Sequence, residues 1–151
     1  VASFKDLGGN DWIVGFNIGN CRRILQLTKL DFANAHDGKA VSEIQADDSK
    51  MVQVLWLLIE EQAKLKGIDE NAFWQLLDGN VLEEAQNAIE EAVLGFTRPE
   101  RRAALKAILD KKREAMSKAM DLAIAKVQAV EMDQKIEAAI EKQLSQLTSG
   151  S

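Results

Sequence analysis

Between Pro99 and Gly150 the chain contains neither proline nor glycine. Uninterrupted, that stretch is a helix of about 50 residues, about 75 Å long at about 1.5 Å per residue. It is more helix than a chain of 151 residues needs for its own core, so part of it should meet another chain. Its start is well marked. Thr97 and Glu100 have the spacing of a capping box, Pro99 sits in the first turn where its missing N–H costs nothing, and Gly95 lies just before them. A single proline and nine glycines leave little turn material for an all-β protein.

The apolar stripe tests whether the long segment is one unit. Leu105, Leu109, Met116, Met120, Ala123, Ile124, Val127 and Val130 cluster on one side at helical spacing. Met132, Ile136, Ala139, Ile140, Leu144 and Leu147 cluster on nearly the opposite side, so the phase slips around Glu131 to Asp133. A break there, with Asp133 as a new cap, is the expectation; the alternative is one helix that shows two faces to two partners. The candidate partner-binding residues are Met116, Met120, Ile124, Val127, Met132, Ile136, Ile140 and Leu144. Methionine on an Ala-rich helix suits a surface that accepts other helices, and it suits a seam in a homo-oligomer equally well.

Upstream, Trp12, Val14, Phe16 and Ile18 alternate as in a strand, with Ser3 to Asp6 as its partner and Leu7 to Asp11 as the loop. A lone hairpin is marginal, so it must lie on helices or pair with another chain. From there the signals are helical. Asn20 is placed to cap a short helix carrying Ile24 and Leu25 inward, and Asp31 to Gln45 holds at most a short helix around the Asp37-Gly38 turn. Asp47 or Asp48 caps a helix that Gly67 ends, apolar from Met51 to Ile59 except at Gln53, and hence the centre of the domain. Asp69 caps a helix with Phe73, Trp74, Leu76 and Leu77, and Asn80 with Glu83 opens one bearing Val81, Leu82, Ala85, Ile89, Ala92, Val93 and Phe96. The expected fold is mainly α: a hairpin and helical core over residues 1–97, a long helical segment over 98–147, and a disordered end at 148–151.

One Cys and one His exclude a disulfide framework, a Cys-based zinc site and any multi-histidine metal site. Cys21 beside Arg22 and Arg23 could carry a depressed thiol pKa, but a small, partly buried side chain is the plainer reading. His36 lies in a polar loop. The acidic pairs Asp47-Asp48, Glu60-Glu61, Glu83-Glu84 and Glu90-Glu91 are adjacent, so on a helix they diverge. No glutamate has a histidine three residues on, and no phosphate-binding glycine loop is present. No enzyme, cofactor or metal is expected. The section from Arg98 through Arg101, Arg102, Lys106, Lys111, Lys112 and Arg113 to Lys118 is basic, yet the net charge is −5 and no aromatic side chain follows Thr97, so nucleic acid is not the expected partner. The longest apolar run, Val54 to Ile59, is far too short for a membrane span, and no secretion signal is visible, so a cytoplasmic location is expected.

The order of signals resembles a known family. Asp11-Trp12-Ile13-Val14, Asn17-Ile18 and Arg22-Arg23-Ile24 are followed by Val54-Leu55-Trp56 and Gln62, then by Gly67-Ile68-Asp69-Glu70, Phe73, Leu77 and Gly79, and finally by Phe96, Arg98-Pro99 and Arg101-Arg102. Over about Asn10 to Lys112 this is similar to the small, mostly helical tail assembly chaperones of bacteriophage and prophage tail gene clusters. The resemblance implies a non-enzymatic protein that binds the helical tape-measure protein, keeps it soluble and helps recruit tube subunits. The alternative is a structural tail or head–tail adaptor that forms homo-oligomers, its hairpin adding strands to a neighbouring sheet edge.

Overall fold

A computed structural model describes residues 1–149, which form a two-stranded hairpin and six α-helices and divide into two compact units, one from Val1 to Leu109 and one from Asp110 onward. The chain is mainly α, as the sequence indicates.

In the first unit, strands β1 (Ser3–Lys5) and β2 (Asp11–Ile13) pair antiparallel, with Phe4 opposite Trp12. The loop between them folds around one carboxylate. Asp6 accepts hydrogen bonds from the Gly8 and Asn10 backbone N–H groups at 2.9 and 3.0 Å, from the Asn10 side chain, and from the Trp12 indole N–H at 2.9 Å. Gly9 supplies the positive φ of 80° that closes the turn. The strand is shorter than its alternation suggests. Trp12 and Val14 are buried and Phe16 stacks on Phe32, but Ile18 is exposed and already helical.

The reason is a cap. Asn17, not Asn20, is the N-cap of α1 (Ile18–Thr28), and the two asparagines exchange hydrogen bonds as a reciprocal box, Asn20 standing at the third helical position. This rotates the helix so that Cys21 and Ile24 face inward while Leu25 is exposed. A 3₁₀ turn at Ala35–Asp37 and helix α2 (Lys39–Ala46) follow, the latter burying Val41 and Ile44.

Helix α3 (Asp48–Lys66) is the centre of the unit. Asp47 caps it through the Lys50 N–H, and Gly67 ends it at φ 70°. Met51, Val54, Leu55 and Ile59 are completely buried, and α1, α2, α5 and β2 all pack on it. Arg23 of α1 ties to its Glu60 at 2.8 Å. The one-and-a-half-turn α4 (Glu70–Trp74) is capped by Asp69 and sets Phe73 edge-on against Trp12, with ring centres 5.3 Å apart. The cap of helix α5 (Gly79–Phe96) lies two residues before the Asn80–Glu83 box read from the sequence. Asp78 accepts the Val81 N–H at 2.9 Å and takes the capping role. Its buried face holds Val81, Ala85, Ala88, Ile89 and Val93, together with Glu90, whose carboxylate accepts a hydrogen bond from the Gln45 amide.

At the corner into α6 (Pro99–Ser149), Thr97 closes α5 instead of opening α6 as the Thr97–Glu100 box predicts, because its hydroxyl and its N–H both donate to the Val93 carbonyl. Arg102 reaches back to satisfy the carbonyls of Leu94 and Thr97 at 2.8 and 3.2 Å. Helix α6 then runs without interruption. The expected break at Glu131–Asp133 is absent, because no residue there disfavours helix strongly enough to end it and a change in apolar phase costs the backbone nothing. Leu105 and Leu109 are buried, so the first unit extends past Thr97 to Leu109. Thr148 and Ser149 are helical rather than disordered; Gly150 and Ser151, the rest of the expected disordered end, lie outside the described residues.

Asp6 makes the stability of the hairpin depend on pH. Burial by itself raises its pKa, but the hydrogen bonds from Asn10, Trp12 and Gly8 outweigh this and hold it below the ordinary value of 3.8. A carboxylate depressed on folding stabilises at pH above its unfolded pKa and loses that contribution as pH falls through its folded pKa. Chemical denaturation below about pH 4 is therefore expected to show a falling midpoint, and Asp6→Asn is expected to remove that part of the slope while lowering stability at pH 7. An unchanged acid slope in Asp6→Asn would contradict the assignment.

Candidate helix-binding surface

In the second unit every residue from Glu114 to Thr148 is exposed, which for a helix of this composition is the notable fact. Met116, Met120, Ile124, Val127, Met132, Ile136, Ile140 and Leu144 are 49–63% exposed. Leu122, Val130 and Leu147 add to them. The unbroken backbone puts all eight candidate residues on one helix, but not on one face. Met116, Met120, Ile124 and Val127 share one side; Met132, Ile136, Ile140 and Leu144 share a side turned nearly opposite.

The phase slip has a source in the sequence. Met116, Met120-Asp121, Ala123-Ile124 and Lys126 recur sixteen positions later as Met132, Ile136-Glu137, Ala139-Ile140 and Lys142. Sixteen residues at about 100° each leave a remainder of about 160°, so the repeated unit reappears on the other side, about 24 Å further along.

The second side also extends further back than the large apolar residues suggest. Leu122, Ala125, Ala129, Met132, Ile136 and Ala139 follow one another at alternating steps of three and four, a heptad seam. The alanines conceal it, because they count for little in a stripe judged by bulk. The first side carries Met116 and Met120 and is the more adaptable of the two.

Elsewhere the chemistry is quiet. The Cys21 thiol is buried and pushed up to about 11, first by burial and then by the negative charge of Asp31, which is the reverse of an activated nucleophile. His36 lies in the 3₁₀ turn, beside a hollow of about 320 Å³ shared with Arg98 and Arg101. Among the described residues no group of three His, Cys, Asp or Glu is placed to hold a metal ion, and no helix is long and apolar enough to cross a membrane. Within the basic section Arg102 serves the α5 corner and Lys118 pairs with Glu114 at 3.1 Å.

The outer edge of β2 is also occupied. The Gln62 side chain accepts from the Ile13 N–H at 2.9 Å and donates to the Ile13 carbonyl at 2.7 Å, standing in for the peptide of a third strand. The Asn20 amide takes the Gly15 carbonyl next along. A strand added by another subunit at this edge would have to displace both, which weighs against the strand-exchange version of an adaptor.

Compared with protein-family models, with curated proteins and with solved structures, the chain gives no match in any of the three.

Proposed function

We propose that this protein is a non-enzymatic assembly factor that uses the exposed part of α6 to hold an apolar helix of another protein, as a tail assembly chaperone holds a tape-measure protein. The observation that carries the reading is the row of half-exposed Met, Ile and Val side chains on a helix whose first unit already has a complete core of its own. Contiguous exposed apolar surface on a soluble chain marks an interaction site, and apolar residues spaced three and four apart are how helices recognise helices. The tail-assembly identity of the partner comes from the sequence segments between Asn10 and Lys112 described above.

The site proposed for the foreign helix is the side of Met116, Met120, Ile124 and Val127. Unbranched methionines there repack around partners whose apolar spacing is not strictly periodic, as along a tape-measure protein. The role needs no cofactor and no metal, and the host cytoplasm is where such assembly would take place.

Co-expression with a tape-measure protein tests this. The wild-type chain is expected to keep the tape-measure soluble and to co-purify with it, whereas the Met120→Asp, Ile124→Asp, Val127→Asp triple variant is expected to lose at least about tenfold of the recovered complex, since several buried apolar contacts of about 1 kcal/mol or more each are removed. Circular dichroism of the variant should remain helical. Equal recovery with wild type and variant would sink the assignment of this face, and an insoluble tape-measure in both would sink the chaperone reading.

A further inference from the structure

The heptad seam on the other side of α6 carries a register of its own. In an antiparallel helix pair each a position faces a d position of the neighbour. Sliding α6 along a second α6 until Ala129 lies opposite Met132 also brings Leu122 opposite Ala139 and Ala125 opposite Ile136. Every one of the six layers then joins one large side chain to one alanine, which fills space evenly along the interface. A parallel pair does the opposite. It stacks Ala125 on Ala125, Ala129 on Ala129 and Ala139 on Ala139, leaving three thin layers between thick ones.

The charges beside the seam agree with the same register. Asp121 falls opposite Lys142 of the second copy, and Lys126 falls opposite Asp133. Symmetry doubles each pair, so four opposite-charge contacts flank the seam and no like charges meet in these rows. All ten residues named are exposed in the single chain, and within it they are not needed for any core. We infer that α6 pairs with the α6 of a second copy of this chain, antiparallel and in this register, through the side opposite to Met116 and Met120. The Met-rich side stays uncovered in such a dimer, so two foreign-helix faces are presented, one by each copy. The inference concerns the chain alone and does not depend on which foreign helix is bound.

Analytical ultracentrifugation of the full chain, combined with spin-label distances, decides it. The wild type is expected to sediment as a dimer. A label at Ser117→Cys should report a pair distance of about 40 Å, because the two sites lie about 27 residues apart along an antiparallel axis. The buried Cys21 stays out of reach of the label. Lys126→Glu is expected to weaken the dimer about tenfold by turning two attractions into repulsions, and the double variant Lys126→Glu, Asp133→Lys to restore it to within about threefold. Three results overturn the inference. One is a monomer at every concentration. Another is a label distance of about 10–20 Å, as a parallel pair would give. The last is failure of the double reversal to rescue. None of these touches the co-expression result, so the two proposals can fail separately.

Discussion

Replacing Trp12 with alanine is expected to lower the stability of the first unit by about 4 kcal/mol, the range found when a large, fully buried aromatic side chain is removed. Trp12 has no exposed surface, lies edge-on against Phe73, and donates its indole N–H to Asp6. Its loss opens a cavity where the hairpin, α3 and α4 meet and takes one of the four donor groups from the Asp6 carboxylate. Since a domain of this size holds about 5–15 kcal/mol in all, the variant should unfold at a much lower denaturant concentration. Trp12→Phe is the informative control. It keeps a ring against Phe73 but deletes the N–H, and should cost about 1–2 kcal/mol. A midpoint for Trp12→Ala close to wild type would mean that the hairpin contributes little to the core.

The second large effect belongs to the other unit. Changing Ile136, Ile140 and Leu144 together to aspartate is expected to abolish self-association while leaving the core before Thr97 folded. All three are about half exposed, so the change removes no contact from that core. Sedimentation should shift from dimer to monomer, and thermal melting of the first unit should move by no more than a few degrees. Unchanged mass in the triple variant would show that this part of α6 is not a contact surface.

How far the sequence could be read depended on which force decided each element. Asp47 with Gly67, and Asp69, were legible because caps and breakers act locally, within one turn of the residues that cause them; Pro99 marks the start of α6 in the same way, although Thr97 turns its hydroxyl back to α5 and not into the expected box. The length of α6 followed from the absence of Pro and Gly, again a local property. Errors arose where two local signals competed. The alternation from Trp12 to Ile18 predicts a strand, but the Asn17–Asn20 box claims Ile18 for a helix, and the box prevails because it satisfies two backbone groups at once. Asp78 displaced Asn80 as the cap of α5 in the same way.

At the candidate surface the reading failed differently. The phase change near Glu131 is legible in the sequence but marks one helix with two faces and not a break, because periodicity describes side chains and says nothing of whether the backbone must bend. The large residues of the stripe stand out in the sequence, whereas Ala125 and Ala129 escape a reading by bulk, since alanine adds little to a stripe though it sets how closely two helices approach. The edge closure by Gln62 could not be read at all. Its partner Ile13 lies 49 residues away, and no local rule links a glutamine in one helix to a strand edge in another segment.

That same separation has a consequence for biosynthesis. The hairpin is synthesised before α3, and Gln62 follows Ile13 by 49 residues. At about 5–20 residues per second the β2 edge therefore stays bare for roughly 2–10 s in each round of translation. In the finished protein Gln62 guards this edge, but in the growing one it does not, and slow translation through the α2–α3 region lengthens the exposure.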